Sequence, residues 1–433
     1  MRFWTWKHMD RKRLAFGLVF AAILLAFTLA GLELLASFVV PPWPARALNP
    51  RAPATARALS PPFKGQPWLA EPDNSWGVRD RERSLDKAAG MFRAVFVGDS
   101  FVESRYTRLS LPAKVQQRLD PSESRLEAVD LGVGATDPRS YYYRIRDVAL
   151  AIHPDALLVF LYAGNDFMPG DQPFSTWPRL VDESPGGSLL GRIMPRTNWL
   201  VVNRLDLSSF FRFRAKSPSN DDVLLYEAIT APKEDRLRRL VSYVRTYIDP
   251  PASDAEVAEI LERGGGRYLE VAQPGAYDQE YLVDWMLRIL MLWEAESRVG
   301  TTPQDVVRLA DRGHVDATLT WIHAIERLAR EHGKPLLLFV IPVGSVDPQF
   351  RDFWAPWPRA YLWNRICEVW HTELAEALSA ERVPFVDLSD VLAGIPGTYR
   401  RLDGHWTEKG EALVADRVAI ELEKLSRASG KMD

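Results

Sequence analysis

The chain of 433 residues is poor in cysteine, in excess charge and in clustered metal ligands. Its one cysteine, Cys367, permits no internal disulfide and no cysteine-rich metal site. A net charge of −3 leaves no basic surface for a phosphate backbone, so we expect no nucleic-acid partner. No set of His, Cys, Asp and Glu has metal-ligand spacing, and Gly264-Gly265-Gly266 lacks the Lys-Ser/Thr of a phosphate loop. We therefore expect neither a metal nor a cofactor.

One long uncharged apolar run, Leu14–Leu32, is present, and Leu34–Val40 extends it past Glu33. A helix of about 20 residues spans the hydrocarbon core of a membrane. Basic residues outnumber acidic ones ahead of the run, so the positive-inside rule predicts a cytoplasmic N-terminus and a body in the periplasm or cell exterior. A cleaved signal peptide has an apolar region of only about 7–15 residues, so an uncleaved single-pass anchor is favoured.

The pattern of the chain predicts four parts. Residues 1–40 are a cytoplasmic tail and anchor, and residues 41–73 are a Pro-rich stalk. Residues 74–170 and 311–433 alternate apolar runs with helical patterns, which predicts a doubly wound parallel sheet. The five expected strands are Ala94–Val97, Leu126–Leu131, Ala156–Tyr162, Pro335–Ile341 and Val383–Leu388. Residues 171–310 break this alternation and are expected to form an inserted helical subdomain, either a lid over the site or a partner-docking surface.

A serine follows the first strand, in Gly98-Asp99-Ser100-Phe101. A serine hydroxyl needs an adjacent base to become a nucleophile, and His405 is the best candidate among the seven histidines. Asp403 stands two residues earlier, so in an extended loop its carboxylate can orient the imidazole. Because ligands bind at the carboxyl ends of parallel strands, these residues are expected to meet at one edge of the sheet. The sequence thus predicts a Ser-His-Asp triad.

An oxyanion also needs hydrogen-bond donors. Asn165 follows the third strand and carries a side-chain amide, although an Asx-turn or a helix cap would also explain it. The Ser100 backbone N–H and a glycine N–H can complete the hole, with Gly134 chosen and Gly132 as the alternate. A plain strand-to-helix turn explains Gly134 equally well. Asp99 and Asp166 are interpreted as turn and cap residues.

Four motifs together resemble those of the SGNH (GDSL-type) hydrolase superfamily. They are Phe96-Val97-Gly98-Asp99-Ser100-Phe101, Asp130-Leu131-Gly132-Val133-Gly134, Gly164-Asn165-Asp166 and Asp403-Gly404-His405. The resemblance implies a flavodoxin-like three-layer α/β/α fold with a five-stranded parallel sheet. It also implies the nucleophile Ser100, the oxyanion donors Gly134 and Asn165, and the partners Asp403 and His405. The second motif differs from many members in having Asp130 in place of Asn, and it is one residue short before Gly134.

Aromatic residues add a hint about the substrate. Trp406 follows the histidine, and Asp403-Gly404-His405-Trp406 is similar to the Asp-x-His-Trp motif of membrane-associated polysaccharide O-acetyltransferases of the alginate type. Trp354 and Trp357 follow the fourth strand, and together with Trp406 they are candidate substrate-binding residues, because flat indole faces can support sugar rings, although they can also simply pack. The resemblance implies an acyl, most simply acetyl, ester of an envelope or exported glycan as substrate.

The expected activity is that of a membrane-anchored serine esterase or O-acyltransferase. Water as acceptor gives the esterase and a sugar hydroxyl gives the transferase, which would need a multispan partner to bring the activated acyl group across the membrane. Two alternatives stay open: a lipid esterase or lysophospholipase, and an inert envelope scaffold that keeps the fold and docks partners through residues 171–309.

Overall fold

The computed structural model describes residues 11–39, 74, 78–104, 106–134, 136–167, 194, 196–197, 220–271, 279–297 and 299–428. The predicted stalk lies outside these residues, and so does most of the first half of the predicted insertion. The four-part division of the chain stays a prediction.

Five parallel strands form one sheet in the order β2-β1-β3-β4-β5. The strands are β1 (Phe92–Gly98), β2 (Leu126–Gly132), β3 (Ala156–Tyr162), β4 (Leu336–Ile341) and β5 (Phe385–Asp387). This order confirms the predicted α/β class with a five-stranded parallel sheet, and it is the flavodoxin-like arrangement. In this order β2 lies on one side of β1 and β3 lies on the other, so the direction in which strands are added reverses between β1 and β3. Folds of this kind bind their ligands at such a reversal point.

Helices connect the strands throughout the described residues. They are α1 (Arg11–Ser37), α2 (Ser100–Glu103), α3 (Leu111–Leu119), α4 (Pro138–Arg144), α5 (Asn220–Thr230), α6 (Lys233–Tyr247), α7 (Asp254–Arg263), α8 (Gln279–Leu290), α9 (Pro303–Leu309), α10 (Arg312–Glu331), α11 (Pro348–Trp354), α12 (Leu362–Ala380), α13 (Ser389–Leu392) and α14 (Glu408–Ala428). A π-helical turn continues α4 (Ile145–Ala149) and another continues α8 (Met291–Glu296).

Each face of the sheet carries its own apolar core. Along β1, Ala94 and Phe96 face a core with α3 and α14, whereas Val95 and Val97 face a second core with α4, α10 and α12. All four side chains are fully buried. Burial on both faces explains why the strands are continuous apolar runs and not alternating ones.

The helices α5 to α8, from the predicted insertion, share the core of the first face. Trp357 joins them to the α/β body, because its Nε1 donates to the Ile260 carbonyl at 2.9 Å. A Cβ at Gly264 would lie 2.2 Å from the Trp357 ring, so only glycine permits this contact. An ion pair of 2.9 Å between Arg263 and the buried Glu294 lies in the same region. These helices are therefore packed on the body and not loosely tethered.

The segment Val19–Ser37 of α1 is long and apolar enough to cross a membrane, with a mean hydropathy of 2.3. A signal sequence meets the same criterion of length and composition, so the helix fits either role. Glu33, near its C-terminal end, accepts the backbone N–H groups of Arg196 and Thr197 at 2.9 Å each.

Candidate active site

The end of β1 places Ser100 at the first position of α2. Asp99 caps this short helix, since its Oδ1 accepts the Phe101 N–H at 2.9 Å. Gly98 permits the tight turn, because a Cβ there would lie 2.5 Å from a methyl group of Val102. Ser100 is half-buried, at the carboxyl edge of the sheet. Its hydroxyl therefore lies where a ligand can reach it.

His405 and Ser100 are in direct contact, as the sequence predicts. The distance from His405 Nε2 to Ser100 Oγ is 2.7 Å, a normal hydrogen bond. The imidazole contacts two aromatic rings, with its centroid 4.0 Å from that of Tyr106 and 4.9 Å from that of Phe101. These rings restrict its rotation. Sequence reasoning missed Tyr106, for which no local signal exists.

Asp403 lies beside His405 but at a longer distance. Its Oδ1 accepts the His405 backbone N–H at 3.2 Å and lies 3.6 Å from Nδ1, for which the described residues offer no hydrogen-bond partner. Burial would raise the pKa of Asp403, but the Arg400 guanidinium, 3.3 Å from Oδ2, and His405 outweigh it and lower the pKa to about 2. The carboxylate is therefore ionised, and its contact with the ring is electrostatic at this distance.

A short loop presents both residues. Tyr399 pairs with Trp406 in an isolated antiparallel bridge, and the Arg400 N–H donates to the His405 carbonyl at 2.7 Å. Gly404, at the tip, has a φ of +68°, a conformation that costs other residues energy. The positive φ thus explains why a glycine stands between Asp403 and His405.

Asn165 is tied to the turn that carries Ser100. Its Nδ2 donates to Asp99 Oδ2 at 2.7 Å, which uses one of its two N–H bonds. Burial raises the pKa of Asp99, against the effect of these hydrogen bonds. Asp166 has a structural role, since its carboxylate accepts the Tyr162 N–H at 2.7 Å and the Tyr141 hydroxyl at 2.9 Å. Asn165 as an oxyanion donor stays a prediction.

Both candidate glycines already have acceptors. The Gly134 N–H donates to Glu103 Oε2 at 2.8 Å, and the Gly132 N–H donates to Asp130 Oδ1 at 2.7 Å. Neither N–H is thus available to an oxyanion in this arrangement. Their role in the hole remains a prediction that requires Glu103 or Asp130 to give way.

Arg144 holds the ends of two strands together, and sequence reasoning missed it. Its Nη1 donates to the Gly98 carbonyl at 3.0 Å and to the Leu131 carbonyl at 2.8 Å. The side chain is fully buried, and this burial lowers its pKa to about 10. Arg144 therefore fixes the turn that carries Ser100 against the end of β2.

The three tryptophans considered as sugar platforms are packed inside the protein. Their exposed fractions are 3% for Trp354, 0% for Trp357 and 3% for Trp406. Trp354 Nε1 donates to the Arg401 carbonyl at 2.7 Å, and Trp406 packs edge-on against Phe101 at 4.6 Å. A sugar ring would have to displace these contacts to stack on an indole face, so the geometry gives all three a packing role.

A second serine, histidine and aspartate lie together at the end of β5. His371 Nε2 is 3.1 Å from Asp387 Oδ2 and 3.3 Å from Ser389 Oγ. Both partners contact the same ring nitrogen, so no proton can pass from the serine through the ring toward the carboxylate. Asp387 also accepts the Ser389 N–H at 2.8 Å, at the start of α13. This group is structural, in contrast to the arrangement around Ser100.

Among the described residues, no group of three or more His, Cys, Asp and Glu could hold a metal ion. No protein-family model matches the chain, and no curated protein is similar enough in sequence to match it. A crystal structure of a GDSL-like lipase from Bacteroides thetaiotaomicron is similar, with a TM-score of 0.29 and 12% identity, over 78% of this chain and 88% of that chain. At this TM-score and identity the similarity carries no argument about activity. The α/β assignment follows from the strand order of this chain.

Proposed function

We propose that the chain is a serine hydrolase or acyltransferase of the SGNH (GDSL-type) kind, acting on acyl esters. The observation that carries the proposal is the 2.7 Å contact between Ser100 Oγ and His405 Nε2 at the carboxyl edge of the sheet. The two residues are 305 positions apart in the chain, and the fold brings them together where flavodoxin-like proteins bind ligands. The ionised Asp403 beside the imidazole supports the same chemistry.

In the first half-reaction, Ser100 Oγ attacks the ester carbonyl while its proton passes to His405 Nε2. The resulting imidazolium is stabilised by the Asp403 carboxylate, 3.6 Å from Nδ1. The oxyanion is held by the Ser100 N–H and by the second N–H of Asn165. His405 then gives its proton to the leaving alcohol oxygen, and an acyl-Ser100 ester remains.

In the second half-reaction, an acceptor hydroxyl loses its proton to His405 and attacks the acyl-Ser100 carbonyl. Water as acceptor releases the acid and completes hydrolysis. A sugar hydroxyl as acceptor gives a new ester and completes transfer. In both cases the proton on His405 returns to Ser100 Oγ, which restores the starting state.

For the substrate we propose an acyl, most simply acetyl, ester of an envelope or exported glycan. The support is the similarity of Asp403-Gly404-His405-Trp406 to the motif of polysaccharide O-acetyltransferases. We further propose that α1 anchors the protein with its body outside the cytoplasmic membrane, because basic residues precede an apolar helix of sufficient length. In the transferase version a multispan partner supplies the activated acyl group.

The test uses the full-length protein in detergent and the Ser100→Ala variant. We expect hydrolysis of p-nitrophenyl acetate and covalent labelling by a fluorophosphonate, with both lost in Ser100→Ala. Ser389→Ala is the matched control, because Ser389 also contacts a histidine but in the structural group. It should keep both signals. Absence of both signals in the wild-type protein would contradict the enzyme proposal and favour the inert scaffold.

The acceptor is identified by a second experiment. Oligosaccharides are supplied with an acyl donor, and acetylated oligosaccharides are supplied alone. Net acetylation of the glycan supports the transferase, and release of acetate from the acetylated glycan supports the esterase. Faster cleavage of a lysophospholipid than of either glycan would instead support the lipid esterase.

A further inference from the structure

A carboxylate lies beside the nucleophile that the proposed chemistry does not use. Glu103 is at the end of α2, three residues after Ser100, and only 9% of it is exposed. Its Oε2 accepts the Gly134 N–H at 2.8 Å. A Cβ at Gly134 would lie 2.7 Å from this oxygen and 3.7 Å from Ser100 Cβ, so the carboxylate and the nucleophile flank the same point.

The backbone fixes Glu103 in this place. A Cβ at Gly132 would lie 2.3 Å from the Glu103 backbone nitrogen, so the end of α2 packs directly on the end of β2. Further charges surround the carboxylate. Asp130 is fully buried, and its pKa is raised by burial, by Asp80 and by Glu103 itself, while the buried Arg144 is a cation that interacts with Glu103. The backbone packing therefore keeps the Glu103 carboxylate close to Ser100, and its contact with the Gly134 N–H is the one that a substrate group would have to replace.

A carboxylate at this point has two consequences for ester chemistry. It occupies a backbone donor that an oxyanion could use, and loss of one such donor typically costs ~10²–10³ in turnover. An ionised carboxylate only accepts hydrogen bonds. A hydrogen-bond donor on the substrate can therefore compete with the Gly134 N–H for the Glu103 carboxylate.

We infer that Glu103 is a specificity-determining residue. It selects esters whose alcohol part carries a free hydroxyl close to the ester oxygen. The hydroxyl donates to the Glu103 carboxylate, and the Gly134 N–H becomes free for the oxyanion. Simple alkyl esters carry no such donor, and they react with the oxyanion held by Ser100 and Asn165 alone. This inference rests on the proposed function, and it narrows the substrate to esters of polyols and sugars.

The test compares two esters of equal acyl group, glycerol 1-monoacetate and propyl acetate. The wild-type protein should prefer the glycerol ester in kcat/KM by about 10-fold or more, as a hydrogen bond to a charged group predicts. Glu103→Ala should bring this preference to within about twofold. The change should come mainly from a gain on propyl acetate, together with faster labelling of Ser100 by a neutral fluorophosphonate. A role in holding the Gly134 loop predicts the opposite, a loss on both esters.

Two further variants complete the design. Glu103→Gln keeps an acceptor for the Gly134 N–H without the charge, so its preference for the glycerol ester should lie between those of the wild type and Glu103→Ala. It also tests the inference if the alanine variant does not fold. Glu381→Ala removes a half-exposed carboxylate paired with His323 and should leave the preference unchanged. An undiminished preference in a folded Glu103 variant, or equal losses on both esters, overturns the inference. Absence of Ser100 labelling in every variant, wild type included, overturns the proposed function instead.

Discussion

Replacing Asp403 by Asn isolates the electrostatic part of its contact with His405. Asparagine keeps the shape of the side chain and an oxygen for the His405 backbone N–H, which Asp403 Oδ1 accepts at 3.2 Å. At the 3.6 Å between Oδ1 and Nδ1, a carboxylate and an imidazolium attract each other by about 4–5 kcal/mol at an effective dielectric constant of about 20. Arg400, 3.3 Å from Oδ2, is present in both proteins, so its own effect on the imidazolium cancels in the comparison. With about 1.36 kcal/mol per tenfold change in rate, kcat should fall about 10³–10⁴-fold.

The measurement is steady-state hydrolysis of an acyl ester by the full-length protein in detergent, with the fluorophosphonate labelling rate as a second readout. KM should change little, because the carboxylate acts on charge that forms only during the reaction. Asp387→Asn is the control, since Asp387 contacts His371 in the structural group. A loss smaller than about tenfold in Asp403→Asn would refute the electrostatic role of Asp403.

Three further results are expected. Lys114→Met leaves the buried Glu411 without its ion-pair partner at 2.9 Å, so the free energy of unfolding in urea should fall by about 3 kcal/mol. Lys424→Met, at an exposed ion pair, is the control and should lower it by less than about 0.5 kcal/mol. Gly404→Ala should destabilise by about 1 kcal/mol through its φ of +68° and also reduce kcat; Gly394→Ala, at a φ of +77°, should cost stability alone. Asp403 has a pKa lowered from 3.8 to about 2, so its contribution to stability is complete above its unfolded value and is lost as the pH falls through about 2. In a carboxylate NMR titration, Asp403 titrating near its ordinary value would contradict that ion pairing.

Much of the fold was predictable because its signals are local. Strands buried on both faces are continuous apolar runs, and the observed bounds of β1 to β4 differ from the predicted ones by at most two residues at either end. β5 is shorter than the predicted Val383–Leu388, covering only Phe385–Asp387. It lies at the edge of the sheet and pairs on one side only.

The meeting of Ser100 and His405 was predictable for a different reason. In a parallel sheet, the carboxyl ends of all strands lie at the same edge. Topology alone therefore brings together the residues that directly follow those strands. The contact between Glu103 and Gly134 was not predictable, because it depends on how closely α2 approaches β2. The aromatic contact of Tyr106 with His405 likewise depends on a loop conformation that no residue pattern specifies.

The order of the site residues along the chain has a consequence for when chemistry can begin. Ser100 lies in the first α/β unit, whereas His405 comes 305 residues later, after β5 and just before α14. A nascent chain that has completed β1 to β4 thus carries its hydroxyl without a proton acceptor. On the proposed function, only a chain synthesised through the Asp403–His405 loop is competent, so partly made or truncated molecules cannot attack esters.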